Sequence, residues 1–143
     1  MNEGKLQTLM DRAAISEVMQ RYGMSIDTRD WALLRSCFTD DCDADYGDIG
    51  HWYSGDEITA WMADCHEPLG PTMHRITNIV VAGDLDRPTA RSYVHAMLTT
   101  SDRARAIHAY GWYDDELLST EDGWRIARRR FTSATIEVHH QPG

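Results

Sequence analysis

The sequence predicts an α+β fold, with helices first and a bent antiparallel sheet after them. Two patterns and one set of turns predict it. Apolar residues recur at helical spacing in the first half, at Ile15, Val18, Met19, Tyr22 and Ile26. The second half carries long runs rich in Val, Ile, Thr, Tyr and Trp, the residues that suit a pleated, half-buried surface. Short turn sequences separate these runs, and long strands joined by short turns make antiparallel hairpins. Helices that precede strands in this order give the α+β class.

Each element follows from its local signals. Residues from about 6 to 26 form an amphipathic helix. A second, short helix runs from Trp31 to Phe38, with Asp30 as its candidate N-cap. An acidic turn, Thr39 to Asp41, leads to a short strand through Ala44, Asp45 and Tyr46. Gly47, Gly50 and Gly55 mark loop, and Ser54 or Asp56 caps a third helix from Glu57 to about Asp64. After Pro68 and Pro71 come four strands, at 73–82, 89–100, 104–118 and 123–138. Their breaks lie at Gly83 to Pro88, Thr100 to Arg103 and Glu121 to Gly123. His139 to Gly143 is the only candidate tail.

Composition narrows the function classes. A chain of 143 residues holds one core and is short for two ordinary domains, so residues 1–143 are expected to form one domain. Apolar residues make up 42% of it, which is ordinary for a globular protein. The formal net charge of −9 argues against nucleic acid and anionic membranes as partners. No run of about 18 apolar residues is present to span a bilayer. The N-terminal residues lack the basic and then apolar layout of a signal peptide. Cys37, Cys42 and Cys65 are odd in number and fit no zinc spacing, so they read as reduced, mostly buried thiols of a cytoplasmic protein.

Asp27 and His74 are the leading catalytic candidates. Asp27 closes the first helix, and His74 opens a strand-like run that continues through Val81. A carboxylate that meets an imidazole fixes its tautomer, and the ring then moves the proton. The plain structural alternatives are a helix cap for Asp27 and a satisfied strand histidine for His74. His74, Ile76 and Asn78 share a face if period-2 alternation holds, so Asn78 is a candidate substrate-orienting amide or a structural one. Tyr22 lies on the apolar helix face, where its hydroxyl needs a partner if buried. His108 shares a face with Tyr110 and Trp112 if the alternation holds, and it or His95 on the preceding strand is a candidate to face a pocket. Ile126, Arg128 and Arg130 share a face, so Arg128 is a candidate for a leaving anion or a substrate carboxylate, against the usual solvated arginine.

The motifs Asp11 to Ile15, Arg21-Tyr22, Ile26-Asp27, Asp30-Trp31 and Phe38 to Asp41 follow one another in the first part of the chain. His74 with Asn78, Gly111 to Asp114, and Asp122 to Ala127 come after them. In this order and spacing the chain resembles the SnoaL-like group of the nuclear-transport-factor-2-like superfamily, in the branch of scytalone dehydratase and gamma-hexachlorocyclohexane dehydrochlorinase. The resemblance covers nearly the whole chain. It implies a cone: a bent antiparallel sheet wrapped round helices, with a deep pocket inside. It implies Asp27 and His74 as an acid–base pair, Tyr46 as a donor to a substrate oxygen, against the plain alternative of a rim tyrosine, and a homotrimer or homodimer.

One fold hosts many chemistries, so the site must decide. The chain has no His-Glu-x-x-His run, no paired cysteine spacing, no Gly-x-Gly-x-x-Gly and no Gly-x-Ser-x-Gly elbow. Five tryptophans suit an aromatic-lined pocket or ordinary packing. The reading is a lyase or isomerase, of dehydratase or dehydrohalogenase type, with no cofactor or metal. It acts on a hydrophobic cyclic small molecule. A polyketide cyclase or epoxide hydrolase of the same fold is one alternative, and a non-catalytic binding or structural subunit is the other.

Overall fold

The computed structural model describes residues 2–141. Helix α1 spans Glu3–Asp27, α2 Trp31–Arg35 and α3 Gly55–His66. The strands are β1 Phe38–Asp45, β2 His51–Trp52, β3 Leu69–Ala82, β4 Thr89–Thr100, β5 Arg105–Thr120 and β6 Gly123–His140. A single 3-10 turn, Gly47–Ile49, joins β1 to β2. Six strands lie in the order β2-β1-β6-β5-β4-β3, in an open sheet with the helices packed on one face. This is the α+β cone that the sequence predicts.

The helices begin where side chains satisfy their free N–H groups. Asn2 accepts from Lys5, Asp30 from Leu33 and Ser54 from Glu57. Ser54 is therefore the cap of α3, and Asp30 that of α2, which leaves the Asp27 carboxylate free for other work. Ile15, Val18, Met19, Tyr22 and Ile26 are buried on one side of α1 against the sheet.

Three expectations change. Phe38 and the acidic run Thr39 to Asp41 are strand rather than helix end and turn, because β1 pairs in parallel with β6 across Phe38 and Ile126. The sheet is accordingly mixed: β1–β6 is parallel and the other pairings are antiparallel. His139 and His140 continue β6, paired with Ala106 and Arg105, and are not a tail. Pro142 and Gly143 lie outside the described residues.

Bulges bend the sheet and reset which residues face inward. In β3 the register shifts between Thr77 and Val80. Between β5 and β6 it shifts at Gly111 and again at Leu117. Gly111 is required at its shift, since a Cβ there would lie 2.1 Å from the Thr132 carbonyl oxygen. No helix among the described residues is long and apolar enough to cross a membrane.

Candidate functional site

The end of α1 and the start of β3 meet at the rim of the core. Gly23, one turn before Asp27, makes this approach possible: a Cβ on it would sit 3.2 Å from both the His74 carbonyl oxygen and Ile76 Cγ1. Asp27 then faces His74. The His74 ring Nδ1 lies 2.7 Å from Asp27 Oδ1, and the His74 backbone N–H donates to Oδ2 at 2.7 Å. Thr72 Oγ1 also donates to Oδ1, at 2.9 Å.

Arg29 fixes this corner from behind. It adopts a left-handed backbone, φ 59°, as the chain leaves α1. Its guanidinium donates to the Ile26 carbonyl, the Thr72 hydroxyl and the Gly70 carbonyl, each at 2.8 Å. An ionised Asp27 accepts only, so the ring proton lies on Nδ1 and Nε2 is left with a free lone pair. Burial raises the Asp27 carboxyl. The bonds from the His74 ring and N–H, with Thr72 adding a smaller one, outweigh that and hold it below its ordinary value.

His74 borders an internal cavity of about 120 Å³. Tyr22, Tyr46, Tyr113 and His66 line it with His74, and Trp61, Val94, Ala96, Leu98 and Phe131 supply apolar wall. Tyr46, Ile49, Phe131 and Ile136 also border a wider groove of about 550 Å³, so the cavity has a mouth for a longer molecule.

The three tyrosines form one polar cluster. Tyr22 Oη lies 2.8 Å from Tyr46 Oη and 3.2 Å from Tyr113 Oη. Two contacts use two of the three hydroxyl protons and leave one to donate elsewhere. Burial, and then the neighbouring hydroxyls, push Tyr22 well above its ordinary range, and burial raises Tyr113 as well. Both stay protonated.

Arg129 underlies this cluster. Its Nε and Nη2 donate to the two Asp115 carboxylate oxygens at 2.8 and 3.0 Å, and both side chains are fully buried. Nη1 donates to Tyr46 Oη at 3.3 Å. The guanidinium carbon lies 3.7 Å from the Tyr113 ring centre and 4.2 Å from that of Tyr22. Burial alone would lower Arg129, but Asp115 and then Tyr46 hold it well above its ordinary value. The cluster therefore rests on a fixed positive charge.

Three placements need correction. Asn78 is exposed, with φ 52°, as the extra residue of the β3 bulge. The bulge breaks the alternation, so Ile79 and Val81 turn to the core in its place. Arg128 is likewise off the cavity. Leu117 pairs with Ile126 but Glu116 pairs with Arg128, so Ala127 is the extra residue and Arg129 turns inward. Arg128 instead borders an open, charged groove of about 420 Å³ beside Asp114 and Glu116. That groove is larger than the cavity but holds no imidazole.

His108 lies on the outer face, where its Nδ1 sits 2.8 Å from His95 Nε2. Val94, Ala96, Leu98 and Ala109 take the inward positions, so neither His95 nor His108 reaches the cavity. The second pocket histidine is His66, at the end of α3, its ring centre 5.7 Å from that of His74. No strand pattern could single it out. Its helical spacing of four from Met62 was the available signal, and it is the same signal as core packing.

Cys65 also lines the cavity, and burial raises its thiol above the ordinary value, which keeps it a poor nucleophile. The described residues contain no group of three or more His, Cys, Asp or Glu side chains placed to hold a metal ion.

An open, bent sheet packed over helices, with an aspartate–histidine pair at a cavity between them, defines the class: a cone-shaped α+β protein of the nuclear-transport-factor-2-like kind. This chain belongs to the SnoaL-like family, whose domain matches residues 7–130. It is 31% identical over 125 residues to the uncharacterized protein Rv2910c of Mycobacterium tuberculosis, covering 85% of this chain and 84% of that one. Among solved structures it is similar to a Novosphingobium aromaticivorans protein assigned provisionally as an aromatic ring hydroxylase. Identity there is 27%, the TM-score is 0.82, and 93% of this chain and 94% of that one are covered.

A provisionally assigned scytalone dehydratase of the same organism matches at 20% identity and TM-score 0.85, covering 94% and 91%. A type 2 hexachlorocyclohexane dehydrochlorinase matches at 19% and 0.85, covering 96% and 97%. These two likenesses are of fold.

Proposed function

We propose that this protein is a lyase or isomerase that needs no cofactor and removes a proton from carbon in a hydrophobic cyclic molecule. The observation that carries the reading is the 2.7 Å contact between Asp27 and His74 at the cavity wall. His74 Nε2 accepts the proton from a carbon beside an activating group. The C–H electrons form the new double bond. In an elimination the leaving hydroxyl or halide departs with its bonding pair. Asp27 holds the ring in the Nδ1–H tautomer and stabilises the imidazolium that forms. The spare proton of the Tyr22, Tyr46 and Tyr113 cluster, backed by Arg129, donates to the oxygen or halide that gains charge.

The test is a panel of cyclic hydroxy-ketones and halogenated rings, followed for loss of water or halide with the wild type and His74→Ala. Turnover that disappears in the variant supports the proposal.

A second reading is a non-catalytic binding or structural subunit, which the apolar, aromatic-walled cavity also fits. Binding of the same rings by wild type and variant, with turnover by neither, would select it.

A further inference from the structure

His66 carries an imidazole nitrogen that is fully buried and that no donor answers among the described residues. The residue is 4% exposed, and its Nε2 has no hydrogen-bond partner among the described residues. Its other nitrogen is committed. Nδ1 lies 2.8 Å from the Met62 carbonyl oxygen, which can only accept, so the proton is on Nδ1. Cys65 Sγ, 3.2 Å from the same nitrogen, is within reach of the Met62 carbonyl itself at 3.4 Å and so has its own acceptor. Nε2 is therefore a bare lone pair on the far edge of a ring that lines the cavity beside His74.

A buried acceptor left without a donor in an apolar site is costly, and a ligand that supplies the missing donor recovers that cost. We infer that His66 is the recognition residue of this cavity, an obligate acceptor that selects ring compounds bearing a hydroxyl or N–H donor over hydrocarbons and halocarbons of the same shape. The inference deepens the proposed function by naming its substrate class, and it rests on that reading only in taking the cavity as the ligand site.

Size is compatible with one ring. An apolar cavity of about 150 Å³ accepts benzene, and this one holds about 120 Å³ before its mouth is counted. The tyrosine cluster offers one spare proton, so a hydroxyl that donates to His66 can accept there or leave the rest of the ring to the aromatic walls.

The probes are phenol and toluene, which differ by a hydroxyl against a methyl group. Their affinities are measured by calorimetry or ligand-detected NMR on wild type, His66→Phe and His74→Phe, with no turnover required. Wild type should prefer phenol by about tenfold, the worth of one well-made hydrogen bond. His66→Phe should lose that preference, and His74→Phe should keep it. A second readout needs no variant: in ¹⁵N-labelled wild type, His66 should show a protonated Nδ1, and its Nε2 resonance should shift with phenol and not with toluene.

An unchanged preference in His66→Phe, or an Nε2 resonance that phenol leaves in place, overturns the inference. Preference that follows His66 in a protein that eliminates neither water nor halide leaves this inference standing and removes the lyase. Elimination with the preference lost only in His74→Phe does the reverse.

Discussion

The Asp27 carboxylate binds His74 twice, at the ring Nδ1 through Oδ1 and at the backbone N–H through Oδ2, both at 2.7 Å. One carboxylate thus sets the position of the strand and the orientation of the ring it carries. If His74 is the base, His74→Ala should lower the elimination rate by at least about 10²–10⁴-fold. Asp27→Asn should lose nearly as much, because an amide permits the wrong tautomer and cannot stabilise an imidazolium. Ligand affinity should change far less in both, since the aromatic wall supplies most of the binding. Steady-state rates and separate binding measurements check this, with circular dichroism to confirm folding.

The same contacts tie stability to pH. Asp27 lies below its ordinary value in the folded protein, so folding favours its charged form. That contribution is present above the unfolded value of about 3.9 and is lost as pH falls through the lower folded value. His66 is also lowered, by burial first and then by His74 and Arg29, so folding favours its neutral form. Its contribution is present above about 6.5 and is lost as pH falls through its folded value. Urea denaturation from pH 8 to 3 should show two losses in wild type. The upper one should be smaller in His66→Leu, where the lowered His95 still contributes, and the lower one smaller in Asp27→Asn, where Asp45 and Asp102 still contribute.

Arg129 and Asp115 form a bidentate pair with no exposed side-chain surface. Removing either partner strands a buried charge, so Arg129→Met or Asp115→Leu alone should cost about 3–5 kcal/mol. The double variant should cost much less than the sum, because it removes both charges at once. Its turnover should still fall, since the tyrosine cluster loses its cation. A double-mutant cycle by chemical denaturation, beside rate measurements on the double variant, makes the comparison. Additive losses would contradict it.

Gly23 sits within α1 where helix propensity alone favours alanine by about 1 kcal/mol. A Cβ there would crowd the His74 carbonyl oxygen and Ile76 at 3.2 Å. Crowding against backbone should cancel the gain, so Gly23→Ala should not raise the melting temperature. It should lower the rate, because α1 carries Asp27 and must shift by a few tenths of an ångström. Gly23→Val should be worse on both counts. A more stable, fully active Gly23→Ala protein would show that the approach has slack.

The periodicities of the chain determine its elements. The buried stripe of α1 from Ile15 to Ile26, the caps Asp30 and Ser54, and the four long strands of the second half are all local signals. Spacing of three to four or of two, together with turn chemistry, is enough to read them. Asp27 at a helix end and His74 at a strand start were legible for the same reason.

What the sequence could not decide was parity. A single extra residue in a strand sends every later side chain to the opposite face. The bulges at Asn78 and Ala127 do this, so Asn78 and Arg128 point away from the cavity and Arg129 points beneath it. His108 and His66 show the other half of the problem. Strand alternation offers two faces and cannot say which is concave, so His108 falls outside. His66 comes to His74 only because α3 packs across the open face of the sheet. Register and helix docking are fixed by long-range burial, and the local sequence carries no mark of either.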